Sequence, residues 1–347
     1  AQQEWKETDS VVHLAGYGAV GYTDNEATKG RFNEVLFAPI IHYMYRDLFM
    51  LESELEIAVQ PDGETDTALE YLTLDWFAHD YATLLAGKFL SPVGQFRQNL
   101  HPSRINKLPS APPGFGHDGA APISEVGLQV RGGLPLRGMR SNYAFYVGNG
   151  PELNAVEEDG EVELEGIDAE GRTRDADGKK VWGGRVGLLP MTNLELGLSY
   201  ATGKAAVTRI FDEHEDSGDS VSGDPARDYD VLGADFSWKL RGVDLRGEYV
   251  RSKVGDATGS IAESGAKWRS WYSQASYRIP STRLEGVVRY TDFDSPHGSE
   301  DQRQWALGMN YLFASNVMAK LAYEINDGQD GSPSDDNSIL AQLAYGF

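Results

Sequence analysis

Residues 91–123, SPVGQFRQNLHPSRINKLPSAPPGFGHDGAAPI, form the one long segment of this chain that neither alternates in hydropathy nor is strongly acidic. The segment holds six prolines and four glycines. Because prolines at this density cannot continue a helix or donate to a β-ladder, the sequence predicts a constrained, irregular loop. Apolar residues such as Phe96, Leu108 and Phe115 argue against disorder, and a loop of this length in a compact domain usually carries function.

On both sides of this loop, apolar and polar residues alternate with a period of two. Near the end of the chain, Val317 and Leu321 share one face, whereas Lys320 and Glu324 share the other. The predicted strands are residues 11–23, 31–45, 48–60, 67–78, 81–91, 123–133, 141–150, 180–189, 194–204, 228–239, 242–252, 267–279, 282–291, 302–313, 316–326 and 337–347. They exceed the ~5–6 residues of soluble strands and suit the ~9–11 that a tilted bilayer crossing needs.

The connections between these strands alternate between short and long. Tight turns are predicted near residues 46–47, 79–80, 134–140, 190–193, 241–242, 280–281 and 314–316, and long loops near 24–30, 61–66, 92–122, 151–179, 205–227, 253–266, 292–301 and 327–336. Short turns on one side and long loops on the other are typical of outer-membrane barrels. The sequence therefore predicts an all-β fold. We expect a single transmembrane antiparallel β-barrel of about sixteen strands over residues 1–347, with its third external loop, 92–122, folded into the pore.

Composition limits the possible classes of protein. The net charge of -22 argues against a nucleic-acid partner, and no apolar run approaches the ~18 residues of a membrane helix. The chain has no cysteine and begins Ala1-Gln2-Gln3, as a mature chain does after removal of a signal segment. No cofactor is expected.

The polar faces of the strands predict a water-filled lumen, because charged inward side chains need water. The predicted pore-lining residues are Glu52, Glu54, Glu56, Glu125, Arg131, Arg185, Arg246, Arg278, Arg283 and Arg289. Many of these bases are expected to pair with acids on neighbouring strands.

Two segments carry a resemblance to known families. The chain ends ILAQLAYGF (339–347), which resembles the terminal strand of bacterial outer-membrane proteins, whose final aromatic is read by the barrel-assembly machinery. The segment GKFLSPVG (87–94) resembles the G-K-F-x-x-P-F-G segment of the phosphate-selective porin O/P family, with Val93 where that family commonly has Phe. The segment YVGNGP (146–151) also resembles a strand end of that family.

The resemblance implies a porin in the outer membrane of a Gram-negative bacterium. Such a protein is a usually trimeric channel for passive diffusion of small hydrophilic solutes or ions, surrounded by outer-membrane lipid and lipopolysaccharide. The arginine ladder of the phosphate-selective family has no match here, so its solute is not carried over. For the trimer contact, we expect close packing through the small residues Ala15, Ala19, Gly21 and Ala341.

Loop 92–122 carries an excess of bases, and these are the candidate constriction residues. They are Arg97, His101, Arg104 and Lys107, with Asp118 as the one acid. Either these bases line the constriction, or they anchor the loop to wall carboxylates such as Glu52, Glu54 or Glu125. The sequence favours the first interpretation, from which a weak anion preference follows, and the two can hold together.

Other functions receive less support. Residues 151–180 hold eleven acids and four bases, which predicts a repelling exterior or divalent-cation bridging to lipopolysaccharide. Neither Asp327–Asp336 nor Asp212–Asp219 has the spacing of a calcium loop, so no metal site is predicted. The seven histidines are scattered without a Ser/His/acid set, so an enzyme is not expected. A structural barrel that holds a partner complex remains the alternative.

Overall fold

The computed structural model describes residues 9–26, 29–116, 119–158, 160–212, 218–297 and 300–347. Its strands are β1 (Ser10–Asn25), β2 (Arg31–Tyr45), β3 (Phe49–Val59), β4 (Thr65–His79), β5 (Ala82–Leu90), β6 (Ser124–Leu136), β7 (Met139–Gly148), β8 (Glu152–Glu158), β9 (Glu161–Asp168), β10 (Val181–Met191), β11 (Leu194–Asp212), β12 (Asp219–Ser220), β13 (Arg227–Leu240), β14 (Val243–Val254), β15 (Ala266–Arg278), β16 (Leu284–Asp294), β17 (Gln302–Ala314), β18 (Val317–Asp327) and β19 (Ser338–Gly346). Two short helical turns lie at Phe96–Leu100 and Pro333–Asp335.

Sixteen of the described strands form a closed antiparallel barrel. Strands β8, β9 and β12 lie outside the wall, so β7 pairs directly with β10 and β11 with β13. The barrel closes where β1 pairs with β19, from Tyr17 opposite Gly346 to Asn25 opposite Ser338. The predicted sixteen-stranded architecture is confirmed, and each predicted strand overlaps one wall strand. The ends differ by at most three residues, except that β11 extends eight residues beyond its predicted end.

The outer face of the wall is apolar. Large side chains such as Trp182, Leu198 and Leu321 are 63%, 63% and 55% exposed, although they lie in the middle of regular strands. Their polar neighbours point the other way and are buried, as Lys320 and Glu324 are. This is the alternation of a sheet with lipid on one side and a polar interior on the other. No helix in the described ranges is long and apolar enough to cross a membrane.

One of the short turns, between β6 and β7, is tighter than predicted. Strands β6 and β7 are joined by two residues, Arg137 and Gly138, instead of the longer turn expected at 134–140. Both have positive φ, 49° and 85°, as do Arg241 and Gly242 at 48° and 86°. Two successive left-handed residues form the type I′ turn that matches the twist of a β-hairpin. Glycine supplies the second position at no steric cost.

The closing seam depends on glycines that lie under aromatic rings. A Cβ on Gly16 would lie 2.6 Å from the Phe347 ring, and one on Gly18 would lie 2.6 Å from the Tyr345 ring. These glycines therefore face outwards, and their neighbours face inwards: Ala19 is 1% exposed and Gly21 is also buried. The expectation that Ala19 and Gly21 form an outward packing face is wrong, since the alternation of β1 places them on the inner side.

The lumen is not open throughout. Phe96 and Phe115 from loop 92–122 pack in one buried apolar cluster with wall residues such as Val250, Trp268 and Tyr272. Residues of β8 and β9 belong to the same cluster. The expected water-filled interior is thus replaced, over part of the barrel, by a packed core.

Candidate channel and its constriction

Loop 92–122 begins with contacts to the inner face of the wall. The amide of Ser91 donates to the carbonyl of Ile123 at 2.8 Å, which holds the two ends of the loop together. The Gln95 and Phe96 amides donate to the Glu248 carboxylate on β14 at 3.1 and 2.9 Å. A buried carboxylate is tolerated only with such partners, so Glu248 fixes the first turn of the loop.

Gly94 has a specific reason to be glycine. Its φ is +73°, and a Cβ there would lie 1.6 Å from Oε1 of Glu248. Any side chain at this position would displace the carboxylate that accepts the next two amides. The glycine of the GKFLSPVG segment is therefore required by the anchor, in addition to its backbone conformation.

The middle of the loop is held by a second group of inner-face side chains. Lys107 Nζ lies 2.9 Å from the Glu285 carboxylate on β16. Arg289, also on β16, donates to the carbonyls of Ser110 and Ala111 at 3.0 and 3.2 Å. Further inner-face donors reach the loop backbone: Ser252 to Ala120, Ser270 to Pro113, Asn310 to Lys107, and Lys320 to Ser103. The loop is thus attached along the strands from β14 to β18.

The predicted constriction residues serve different roles. Arg97 is half-buried, and desolvation lowers the pKa of its guanidinium against the opposing effect of Glu70 and other acids. His101 Nε2 lies 3.7 Å from Glu54, and Lys107 pairs with Glu285. Arg104 is exposed, with its side chain against Gly346. Asp118 and the neighbouring His117 lie outside the described residues.

Two predicted pore-lining bases do border open space. A cavity of about 520 Å³ is lined by Arg131 and Arg185 from the wall and by Gln98 and Asn99 from the loop. A smaller cavity of about 110 Å³ shares Gln98 and Arg131 and adds Glu52. The remaining polar side chains of the larger cavity are Thr83, Asn142, Tyr143 and Glu195. The two cavities therefore lie along β5–β7 and β10–β11. Most contacts between the loop and the wall are on β14–β18, but the start of the loop also reaches this side, where the Gly94 amide donates to Ser199 on β11 at 3.1 Å and Gln95 donates to Asp235 on β13 at 2.9 Å.

The bases in these cavities are paired. Arg131 Nη2 lies 2.8 Å from Asp75 and 3.8 Å from Glu52. Arg185 donates to Asp235 at 2.8 and 2.6 Å and to Glu195 at 3.0 Å. Arg185 also donates to Asn142 at 2.9 Å.

The other predicted pore-lining residues do not border these two cavities. Glu54 accepts the Tyr17 hydroxyl at 2.7 Å and is 2% exposed. Arg283 lies in the turn between β15 and β16 and not on a strand, because β16 begins at Leu284. Arg289 is fully buried beneath the loop. The rest are placed as follows: Glu56 is half-buried on β3, Glu125 is buried at the start of β6, Arg246 pairs with Asp244, and Arg278 donates to the Thr282 carbonyl.

Sequence reasoning missed Gln98, Asn99, Asn142 and Glu195 as lining residues. The prediction considered only the charged residues of the loop and therefore overlooked Gln98 and Asn99, which are polar but uncharged. Asn142 and Glu195 could have been found, since both occupy polar positions in the alternation of β7 and β11.

Comparison with known proteins agrees with this architecture. The model of the Gram-negative porin family matches residues 76–331. The chain belongs to the Gram-negative porin family. Among solved structures, the anion-selective porin from Comamonas acidovorans has 15% identity and a TM-score of 0.63, with 97% of this chain and 100% of that chain covered.

Two further structures share the fold. OmpT of Vibrio cholerae, in its trimer form, has 12% identity and a TM-score of 0.61, with 97% and 99% of the two chains covered. OmpF of Salmonella typhi, in complex with daunomycin, has 12% identity and a TM-score of 0.60, with 99% and 100% covered. Among curated proteins, none matches this sequence.

Family membership confirms the main functional prediction. The porin lies in the outer membrane and forms a channel for passive diffusion of small hydrophilic solutes. The narrower resemblance to the phosphate-selective porin O/P family stays a prediction. Within the described part of this porin, no group of three or more His, Cys, Asp or Glu side chains is arranged to hold a metal ion.

The porin also carries a hairpin that was not predicted. Strands β8 and β9 form it within the long acidic loop, and β8 pairs in parallel with the end of β11 that extends beyond the wall. Leu153, Leu164 and Ile167 are buried in the cluster that contains Phe115. His297, in the loop between β16 and β17, lies 3.0 Å from the carbonyl of Leu164. The hairpin thus reaches from β11 to the loop between β16 and β17.

Apolar residues alternate with acids in ELNAVEEDGEVELEGID (152–168), and this pattern could have revealed the hairpin.

One carboxylate holds the base of this hairpin. Glu152 accepts two hydrogen bonds from Arg174 at 2.8 Å and one from Thr208 at 2.8 Å. Burial raises the pKa of Glu152, but the hydrogen bonds from Arg174 and Thr208 and the nearby positive charges outweigh it. The net effect is a pKa below the ordinary value of 4.5.

We expect Gly94→Ala to release the start of loop 92–122, because its Cβ cannot coexist with the Glu248 carboxylate. The free energy of unfolding in urea should fall by about 1–3 kcal/mol, the usual cost of overpacking. The single-channel current should become larger and noisier. Gly116→Ala in the same loop is the matched control, since no heavy atom lies within 4 Å of its added Cβ. Wild-type current from Gly94→Ala would contradict the anchor.

Acid should destabilise the hairpin of β8 and β9, which we call the mouth hairpin. Because the pKa of Glu152 is depressed in the folded state, its stabilising contribution is complete above the ordinary value of 4.5 and is lost as the pH falls through the depressed pKa. Brief current interruptions should therefore become several-fold more frequent between pH 6 and pH 3. Arg174→Gln should show them already at pH 6, whereas Lys179→Gln in the same loop should not. A pH-independent record in the wild type would count against this role.

Proposed function

We propose that loop 92–122 narrows the channel of this porin, and that solutes pass between the loop and the wall formed by β5–β7 and β10–β11. The proposal rests on the observation that loop 92–122 and the larger cavity occupy different parts of the lumen. Most of the loop's contacts with the wall are on β14–β18, and the cavity lined by Gln98, Asn99, Arg131 and Arg185 lies along β5–β7 and β10–β11. A solute would meet the side chains of Gln98 and Asn99 on one side and the two arginines on the other.

The charges around this passage favour weak selectivity. Two bases, Arg131 and Arg185, stand next to the carboxylates of Glu52, Asp75, Glu195 and Asp235. Two bases and four acids give a local charge of about -2, and the acidic loops add to it at the mouth. At physiological salt the Debye length is ~8 Å, so the paired charges in the passage act more strongly than those at the mouth.

We therefore propose a weak cation preference. The anion preference expected from the sequence depended on Arg97, Arg104 and Lys107. Arg97 and Arg104 line neither of the two cavities, and Lys107 lies outside them in its pair with Glu285. Phosphate specificity forms no part of the proposal, because the arginine ladder of that family has no match.

We propose passage without catalysis and without a partner inside the barrel. The two cavities are lined by amides, arginines and carboxylates, which bind and orient solutes but offer no activated nucleophile. The packed core formed by Phe96, Phe115 and the hairpin occupies the space that a partner of a scaffold barrel would need. Outer-membrane lipid and lipopolysaccharide surround the wall in this proposal.

We further propose that the porin assembles as a homotrimer, the form in which OmpT of Vibrio cholerae is also found. The contact in this proposal lies on the wall next to the closing seam. The apolar outer surface of β1 and β2 supports this contact, with Val20 46% and Phe37 42% exposed. This contact face differs from the one expected from the sequence, because Ala341 points outwards but Ala19 and Gly21 do not.

Reversal potentials in a salt gradient test the selectivity. We expect Glu52→Gln together with Glu195→Gln to move the reversal potential towards anions, because the carboxylates are removed and both arginines stay paired with aspartates. Each charge ~4 Å from an ion's path contributes about 1 kcal/mol in bulk-like water and up to about 4 kcal/mol at an effective dielectric of 20. Glu263→Gln, which removes an exposed carboxylate in the loop between β14 and β15, is the matched control and should leave selectivity unchanged. Unaltered selectivity in the double variant would refute the assigned passage.

Native mass spectrometry in mild detergent tests the assembly. Val20→Lys should convert trimers to monomers, because a charge would be buried between two walls. Leu198→Lys places the same charge on the outer face of β11, away from the proposed contact, and should leave the trimer intact. Dissociation by both variants, or by neither, would speak against a contact at the seam.

A further inference from the structure

Four bases face one another on the outer surface of β14 and β15. Arg251 lies directly opposite Arg269, and Lys253 lies directly opposite Lys267. Their neighbours along each strand, such as Ser252 and Trp268, are buried inside the barrel, so the four bases point outwards. Like charges directly opposite each other destabilise a sheet. We call Arg251, Lys253, Lys267 and Arg269 the basic cluster.

Acids near the basic cluster compensate only part of its charge. Arg269 pairs with Asp294 on β16. Asp230 lies opposite Lys253 on β13, but its carboxylate accepts the Tyr200 hydroxyl at 2.9 Å. Within the described ranges, the side chains of Arg251, Lys253 and Lys267 make no hydrogen bond or ion pair. Asp292, on the same outward face of β16 as Asp294, also interacts electrostatically with Arg269. Four bases and three acids leave a charge of about +1 on the surface of a chain whose net charge is -22.

A row of outward aromatic side chains shows where the basic cluster lies relative to the membrane. Tyr249 and Trp271 are opposite each other, two residues closer to the short turns than Arg251 and Arg269. The row continues through Tyr290 and Trp305, whose rings lie 4.8 Å apart. Outward aromatic side chains of a barrel mark the boundary between hydrocarbon and headgroups. The basic cluster stands beyond this row, on the side of the long loops, and thus at the headgroup level of the outer leaflet.

We propose that the basic cluster binds the phosphate groups of a phosphorylated glycolipid of the outer leaflet, the lipid A part of lipopolysaccharide. Arginine binds phosphate through two parallel hydrogen bonds, and lysine adds a point charge. The acyl chains of the same molecule lie against Tyr249, Trp271 and the apolar wall below them. The bound phosphates remove the repulsion between the opposed bases, which the nearby acids compensate only in part.

Lipid titration of the delipidated porin in neutral detergent tests this site. The wild type should bind diphosphoryl lipid A at least about tenfold more tightly than the variant in which Arg251, Lys253, Lys267 and Arg269 are all replaced by Gln, because each base attracts an anionic lipid surface. Lys204→Gln combined with Arg303→Gln is the matched control. Both bases lie at the same end of the barrel but face aspartates, and their loss should change affinity less than twofold.

The chemistry of the ligand is tested with three further probes. Dephosphorylated lipid A should bind the wild type and the fourfold variant equally weakly, and phosphatidylglycerol, with one phosphate, should bind between the two lipid A forms. Inorganic phosphate should compete only at millimolar concentrations. Equal affinity of the wild type and the fourfold variant for diphosphoryl lipid A would overturn the proposal, as would equal binding of the dephosphorylated form or effective competition by inorganic phosphate.

Thermal unfolding separates binding from a structural effect. Without lipid, the fourfold variant should unfold at the same or a higher temperature than the wild type, because like charges are removed; a lower temperature would mean that the bases stabilise the wall by themselves. With diphosphoryl lipid A, only the wild type should gain stability. Lys253→Gln with Lys267→Gln provides a milder variant with an intermediate loss. The cluster is outside the lumen, so all variants should keep wild-type conductance, and the channel proposal stands or falls separately.

Discussion

Closure of the sheet is the constraint on which the rest of this porin depends. An unpaired backbone N–H or C=O group costs several kcal/mol in hydrocarbon, so a wall of strands is viable only when its first and last members pair. Here the ladder between β1 and β19 closes the sheet, and it extends to Phe347. The amide of Phe347 donates to the carbonyl of Gly16 at 3.0 Å, and the amide of Gly16 donates back to Phe347 at 3.1 Å. With every wall strand paired on both sides, one face of each strand must meet lipid and the other must face the interior.

The polar inner face then serves two purposes. A charged group inside the barrel is stable only with partners or water, because burial of an isolated charge costs several kcal/mol. On β14–β18 the partners are the backbone and side chains of loop 92–122, as Glu248, Glu285 and Arg289 illustrate. On β6, β7 and β10 the partners are other wall residues, and space remains between Arg131, Arg185 and the loop. The same residue types therefore anchor a loop on one side and border a passage on the other.

The sequence predicted the wall far better than the site. Strand positions followed from a period of two and from turn residues, which are local properties, and even β19 was found within one residue at each end. The alternation also tells which side of a strand faces inwards, but not which residue across the lumen it meets. Nothing local pairs Lys107 with Glu285, 178 residues later. Ala19 and Gly21 were misplaced because small residues give no hydrophobic contrast from which to read their face.

One apolar core joins loop 92–122 to the hairpin of β8 and β9. Phe115 of loop 92–122 packs 5.2 Å from the Tyr272 ring of the wall, in the same apolar cluster as Leu153, Leu164 and Ile167 of the mouth hairpin. Fully burying such side chains is worth roughly 1.5–3 kcal/mol each. Moving the hairpin away would expose apolar surface on the loop beneath it as well as on itself. The shared core therefore couples the stability of loop 92–122 to that of the hairpin.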